Sequence, residues 1–127
     1  MRAGAGQWEA AAGHYRAALE YTRDPLDEPA TARALEGAAE SYRALGDPVR
    51  AADWYGRALA LRQSRDEPAA QARLLARIGE AHAAQHRYDE AVREYRTALA
   101  LLRRLGDERG SAAVAAALAR YAPAGGR

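Results

Sequence analysis

The sequence predicts an all-α chain built from a repeating pair of helices, and three observations predict it. Tyr15, Tyr55 and Tyr95 are evenly spaced, and Ala11, Ala51 and Ala91, then Ala18–Leu19, Ala58–Leu59 and Ala98–Leu99, fall in the same register around them. A fixed period of about 40 residues marks an array of stacked units. Apolar residues recur at helical spacing along the whole chain, with no sustained strand-like alternation. Breakers interrupt these stretches as "RDPLDEP" at 23–29, "LGDP" at 45–48, "RDEP" at 65–68 and "LGDERG" at 105–110. Six helices follow, at 7–22, 30–45, 48–64, 69–85, 88–105 and 110–121, joined by short turns. Well over half of the residues are expected to be helical, above the third or so usual in globular proteins.

Each element has a local reason. The first helix carries Trp8, Tyr15 and Leu19 as its apolar side. The second ends at Gly46, whose freedom at positive φ suits a helix C-terminus; Asp47 then caps the third helix and Pro48 fills its first turn. The pairs Asp27–Glu28, Asp66–Glu67 and Asp107–Glu108 each precede a helix, where capping and compensation of the helix dipole account for them. Two helix types alternate. Type A is "ARALEGAAESYRALG" (32–46), "ARLLARIGEAHAAQH" (72–86) and "AAVAAALARYA" (112–122). Type B carries Tyr-x-x-Ala-Leu, most fully in "RYDEAVREYRTALALLRRLGD" (87–107). Alanines at 51, 58, 91 and 98 let helices approach closely, while tyrosines and leucines fill the gaps. Trp54, beside Tyr55 but off its stripe, is expected to be half exposed. Arg62 reads as a solvated position whose removal costs no more than about 0.5 kcal/mol.

These residues resemble the tetratricopeptide repeat family. Its pattern runs Leu-x-x-Leu-Gly-x-x-Tyr on helix A, then Ala-x-x-x-Tyr-x-x-Ala on helix B. Here it reads Leu75, Ile78–Gly79, His82, Ala91, Tyr95 and Ala98, and one unit earlier Leu35, Ala38–Ala39, Tyr42, Ala51, Tyr55 and Ala58. The step departs from the family's usual ~34 residues and looks like a longer bacterial variant. The resemblance implies a right-handed α-solenoid: an orphan B helix at 7–22, repeats at 30–64 and 69–105, and an orphan A helix at 110–121, all within one domain. It also implies a non-enzymatic protein–protein interaction module, a scaffold or sensor in a bacterial regulatory protein; a cytoplasmic location is expected from the absence of cysteine and of a signal-peptide-like start.

Composition narrows the functions further. The chain has no cysteine, hence no disulfide, thiolate metal site or thiol nucleophile. Its basic residues are all arginine, and 19 of them against 17 acids leave a net charge of +2, interleaved along the chain. Nucleic-acid binders gather cations on one face, so no nucleic-acid partner is expected. Neither a signal-peptide-like start nor an apolar run long enough to cross a bilayer occurs, so no membrane association is expected either. No catalytic, cofactor or metal site is expected. His82 and His86 are four apart, but Ala83 stands where a metalloprotease helix needs glutamate, and His82 occupies the slot of Tyr42. A packed, hydrogen-bonded histidine is the simpler reading.

By the resemblance, A helices line a concave groove in which a protein or peptide partner lies. The candidate groove residues are Arg33, Glu36, Gly37, Glu40, Arg73, Ala76, Arg77, Glu80 and Arg120. Gly37, Ala76, Ala84 and Ala116 would leave room for a guest, and the arginines could hold carboxylates through bidentate bonds. The alternative is an ordinary solvated face on which Arg33–Glu40 and Arg73–Glu80 compensate each other. The lysine–asparagine clamp that co-chaperone members of the family use is not available, since the chain contains neither residue. A pocket for a small signal peptide or ligand in the same groove is a further alternative. A third is a structural unit that assembles end to end. The first helix presents Trp8, Ala11, Tyr15 and Leu19 toward a missing A helix, and the last presents Val114 and Leu118 toward a missing B helix. Either the chain is a piece of a longer array or copies associate head to tail.

Overall fold

A computed structural model describes residues 3–21, 28–64 and 66–122, with side chains described over 6–17, 30–63 and 66–122. Among the described residues the chain is six α-helices without a strand: α1 Ala3–Tyr21, α2 Glu28–Ala44, α3 Pro48–Ser64, α4 Pro68–Ala84, α5 Tyr88–Leu105 and α6 Glu108–Tyr121. Expected and observed bounds agree to within two residues except at the start of α1, which begins four residues early. Each helix packs chiefly on its neighbours in the chain, α1 on α2, α2 on α3, and so on to α6. That nearest-neighbour pattern is an α-solenoid, in which each unit is stabilised by the next.

The turns explain the regularity. Gly46, Asp66, His86 and Gly106 all have positive φ (79°, 53°, 61° and 75°), so one left-handed residue follows the end of each of α2 to α5 at an even spacing. In each turn the next residue's N–H reaches back five positions: Asp47 to the carbonyl of Tyr42, Glu67 to Arg62, Arg87 to His82 and Asp107 to Leu102. This closing bond satisfies a carbonyl that the helix end would otherwise leave unpaired. The helix that follows starts at once. Asp47 accepts from Arg50 N–H (3.1 Å) ahead of Pro48, and Asp107 accepts from Gly110 N–H (2.8 Å).

The acid pair Asp66–Glu67 does not cap as the sequence suggested. Asp66 takes the left-handed position, and Glu67 makes no side-chain cap bond at the start of α4. Its carboxylate goes instead to Arg62, at 2.9 Å. The Asp27–Glu28 pair lies outside the described side chains.

Two core clusters follow from the repeat step. The first joins Ala12 of α1, Leu35, Ala39 and Tyr42 of α2, Ala51, Tyr55 and Ala58 of α3, and Leu74 and Ile78 of α4. The second repeats it one unit on, with Leu75, Ala91, Tyr95, Ala98 and Leu99, and takes in Val114 of α6. Leu59 packs against both. The fully buried alanines at 51, 58, 91 and 98 are the close-approach points between helices. Trp54 is partly buried, with the Arg57 guanidinium 4.6 Å from its ring centroid.

Arg62 corrects the sequence reading. Its side chain is only 15% exposed, held between Glu36 and Glu67, each at 2.9 Å. It lies in the seam between α2, α3 and the start of α4 rather than on the surface.

Candidate functional site

Helices α2, α4 and α6 share one side of the array, and ion pairs cross it. Glu36 meets Arg73 at 2.8 Å, Glu40 meets Arg77 at 3.4 Å, and Arg43 meets Glu80 at 3.3 Å. The first and last of these span 37 positions of the chain, and the middle one keeps the same step. That is about one helical turn short of the repeat, because neighbouring A helices lean past one another by that offset. Arg77 also contacts Glu80 at 3.1 Å within α4. The Tyr55 hydroxyl donates to Glu40 at 2.6 Å, tying the first core to this row of charges. Most of these side chains are about a third to a half exposed, so each pair adds about 0–1 kcal/mol. Their larger effect is to fix how far one A helix slides along the next.

Arg73 and Arg77, expected to grip a partner's carboxylates, therefore already hold Glu36, Glu40 and Glu80. Arg33 and Arg120 are exposed and, among the described residues, are in no ion pair. Gly37 does not leave room for a guest: a Cβ built there would overlap the Tyr15 ring, so glycine is needed for α1 to seat on α2. Gly79 similarly lies against the Tyr95 ring, with space for a Cβ only 3.0 Å from it. Ala84 and Ala116 are exposed and Ala76 is half buried, as room for a guest requires.

An open cleft of about 690 Å³ lies between α4 and α6 over the end of α5. Ala69, Ala72 and Ala76 floor it from α4, Ala113 closes it from α6, and Arg73 and Arg77 stand in its wall. A second cavity, about 340 Å³, sits where α4 crosses α3. Sequence reasoning missed it and its residues Pro48 and Ala81. The alignment of repeats carried the signal, since Ala81 stands where the next unit has Tyr121.

His82 and His86 turn to different partners. His82 Nδ1 lies 2.7 Å from Glu94 Oε1 and His86 Nδ1 lies 2.7 Å from the Tyr88 hydroxyl. No group of three or more histidine, aspartate and glutamate side chains converges as a metal site among the described residues. No described helix is long and apolar enough to cross a membrane.

At the ends, Trp8 is 42% exposed, while Ala11 and Tyr15 are partly buried. Their counterparts Ala51, Ala91, Tyr55 and Tyr95 are buried because an A helix of the same repeat covers them. Leu19 lies outside the described side chains. Val114 corrects the expectation for the last helix: it is 7% exposed and belongs to the second core. Its register is that of Ala34 and Leu74, positions of an A helix that face the preceding B helix. The side that would meet a following helix is instead that of Ala115 and Ala119, in the register of Leu75 and Gly79, whereas Leu118, in the register of Ile78, packs like Val114 against the second core. Ala119 is exposed where Ala39 and Gly79 are buried, and Leu118 is partly buried.

Two tyrosines of the cores have altered acidity. Burial, then the hydrogen bond to Glu40 and the charge of that carboxylate, push the Tyr55 phenol far above its usual 10.0. Burial, then the charge of Glu80, push Tyr95 up to about 12. A raised phenol favours the neutral form in the folded state. Its stabilising contribution is thus complete below pH about 10 and is lost as pH rises toward the folded-state value. Urea midpoints should hold level up to pH about 10 and fall above it, and Tyr95→Phe should make that fall shallower. An equally steep fall in the variant would remove Tyr95 from the cause.

Paired helices stacked by nearest-neighbour contact, with small residues at the crossings and A helices along one side, define a helical repeat protein. Residues 34–69 and 74–109 match the tetratricopeptide repeat family, and the chain belongs to that family. Its members generally serve as protein-interaction modules rather than enzymes. No curated protein sequence matches the chain. Among solved structures it is similar to the crystal structure of BtubC (BKLC) from P. vanneervenii, with a TM-score of 0.72 and 22% identity, over 89% of this chain and 47% of that one. The likeness shows the fold, and the chain spans about half the length of that protein.

Proposed function

We infer that the chain binds a peptide or partner helix along the side shared by α2, α4 and α6, as the interaction module of a larger regulatory assembly. The observation that carries this reading is the alanine-floored cleft between α4 and α6. Small side chains there leave a concave apolar surface, and such a surface with a few polar groups at its wall is the usual form of a binding site. The arginines act differently from a free carboxylate clamp. Arg73 and Arg77 are neutralised in place, so apolar contact over the alanines supplies affinity, while Arg33 and Arg120 favour an acidic flank on the partner. Placing a large side chain in the cleft should block it. A partner retained from the source organism by the native chain should be lost with Ala113→Trp, at an exposed position, while the helical spectrum is unchanged. Equal retention by a folded Ala113→Trp would refute the cleft as the site.

A second reading, end-to-end association of copies, is favoured by the exposure differences at the two ends. The faces left open on α1 and α6 are the B and A halves of one repeat, and the counterparts of positions 11, 15 and 119 are buried inside the chain. Head-to-tail contact would bury them again. Sedimentation over a concentration series should show self-association, reduced to monomer by Trp8→Glu and by Ala119→Arg. A native chain that stays monomeric throughout would dispose of this reading.

A further inference from the structure

Arginines are paired throughout α3 and α4 but not along α5. Arg50, Arg57, Arg62, Arg73 and Arg77 each hold a carboxylate within 3.5 Å. Arg93, Arg96, Arg103 and Arg104 are exposed and, among the described residues, are in no ion pair. With about 100° of turn per residue, these four fall within an arc of roughly 100°. The arc lies on the side of α5 away from the buried Ala91, Tyr95, Ala98 and Leu102. Arg93 and Arg104 are about 16 Å apart along the helix axis. Glu94, the one acid between them in the chain, is turned to His82 of α4 at 2.7 Å. The fold does not call for this stripe. The same register positions of α3 are Asp53, Gly56, Gln63 and Ser64. The helix dipole favours Arg103 and Arg104 in the last turn, but Arg93 and Arg96, three apart in mid-helix, repel each other.

We propose that the outer face of α5 binds an acidic helix of a partner polypeptide, one in which glutamate or aspartate recurs at helical spacing. Charge complementarity carries the proposal. Four guanidinium groups without an internal partner face solvent, and each offers the planar fork that takes a carboxylate through two parallel bonds. Ala100, exposed in the middle of the arc, lets a second helix lie close. The shape of the patch selects a narrow partner. It is one helix wide, and acids close it at both ends, Asp89 and Glu90 in the first turn and Asp107 and Glu108 after the last. On the preceding B helix, Asp53 stands in the place of Arg93. A bilayer or a nucleic-acid duplex spreads its phosphates over a broader area and would meet these acids too, whereas a single helix fits between them. This surface faces away from the A helices, so the proposal is independent of the α4–α6 cleft and goes beyond it.

The test titrates an acetylated, amidated alanine-based peptide of roughly 15 residues, with four glutamates along one helical face, into the isotopically labelled full chain at low salt. A peptide of the same composition with its glutamates spread around the helix, a short DNA duplex and phosphatidylserine vesicles are titrated beside it. Saturable amide shifts are expected at Arg93, Arg96, Ala100 and Arg104, weakening as salt rises, with the spread peptide bound about tenfold less tightly. The double variant Arg93→Gln/Arg104→Gln should lower affinity by about tenfold. Arg50→Gln/Arg57→Gln, an equal loss of charge on α3, should change it by less than about twofold. All four substitutions are at exposed positions, and an unchanged helical spectrum shows that the fold is kept. If a variant does not fold, the two peptides on the native chain still decide. Absence of saturable shifts along α5 would overturn the proposal, as would equal binding of the spread peptide or an equal loss with the α3 variant. Tighter saturation of the same amides by the duplex or the vesicles would overturn it in favour of that anion.

Discussion

Replacing Tyr55 with alanine should destabilise the protein by about 3–5 kcal/mol, the range for removing a buried aromatic ring. Tyr55 is fully buried in the cluster that draws on α1, α2, α3 and α4 together. No other side chain of comparable size is so completely enclosed among the described residues. Truncation would leave a hole between repeats that alanine-lined helices cannot collapse into, because their backbones already approach closely. It would also take the hydroxyl donor from Glu40, which keeps Arg77 as a partner. Tyr55→Phe separates the two effects and should cost about 1.5–3 kcal/mol, the size of one hydrogen bond to a charged group. Urea unfolding of the three proteins, compared at constant slope, measures both. A loss below about 1 kcal/mol for Tyr55→Ala would mean that the repeats are not joined through this ring.

Arg62→Ala is the second large effect expected, about 2–3 kcal/mol. Exposed pairs contribute about 0–1 kcal/mol, whereas removing one member of a buried pair costs about 3–5 kcal/mol. At 15% exposure for both Arg62 and Glu36, the site lies nearer the second case. Glu36 retains Arg73, which is half exposed, and this moderates the loss. Arg62→Met, which keeps the stem and drops the charge, should lose nearly as much, and adding Glu36→Leu should recover most of it. A change within about 0.5 kcal/mol for Arg62→Ala would return this residue to the solvated surface.

Much of this was legible in the sequence because it depends on local order. The helix bounds follow from breakers, and the turns at Gly46 and Gly106 follow from residues that tolerate positive φ. The cores follow from Tyr55, Tyr95 and the alanines in register with them. What depends on the angle between helices was not legible. The ion pairs between A helices depend on how one A helix sits against the next, and the burial of Arg62 depends on how α2, α3 and the start of α4 meet; a one-dimensional period carries neither. Gly37 meets a related limit: a helical wheel shows that it lacks a side chain but not that Tyr15 from α1 takes the space. On α6 the wheel itself is uninformative, since alanine lies on all sides. The alignment of Val114 with Leu74 would have placed it in the core.

The recurring turn bears on how such a chain changes length in inheritance. The same left-handed bend returns after every helix from α2 to α5, but the helix faces it joins return only at every second bend. A duplicated stretch of one full repeat, copied in frame at any of these bends, brings at each new seam the same two surfaces that already meet elsewhere. A single copied helix would set two A helices or two B helices in succession, with tyrosines facing tyrosines and alanines facing alanines. Genes for such arrays can therefore lengthen or shorten by whole helix pairs while every surviving contact keeps its geometry, and the reading length of the surface grows in fixed increments.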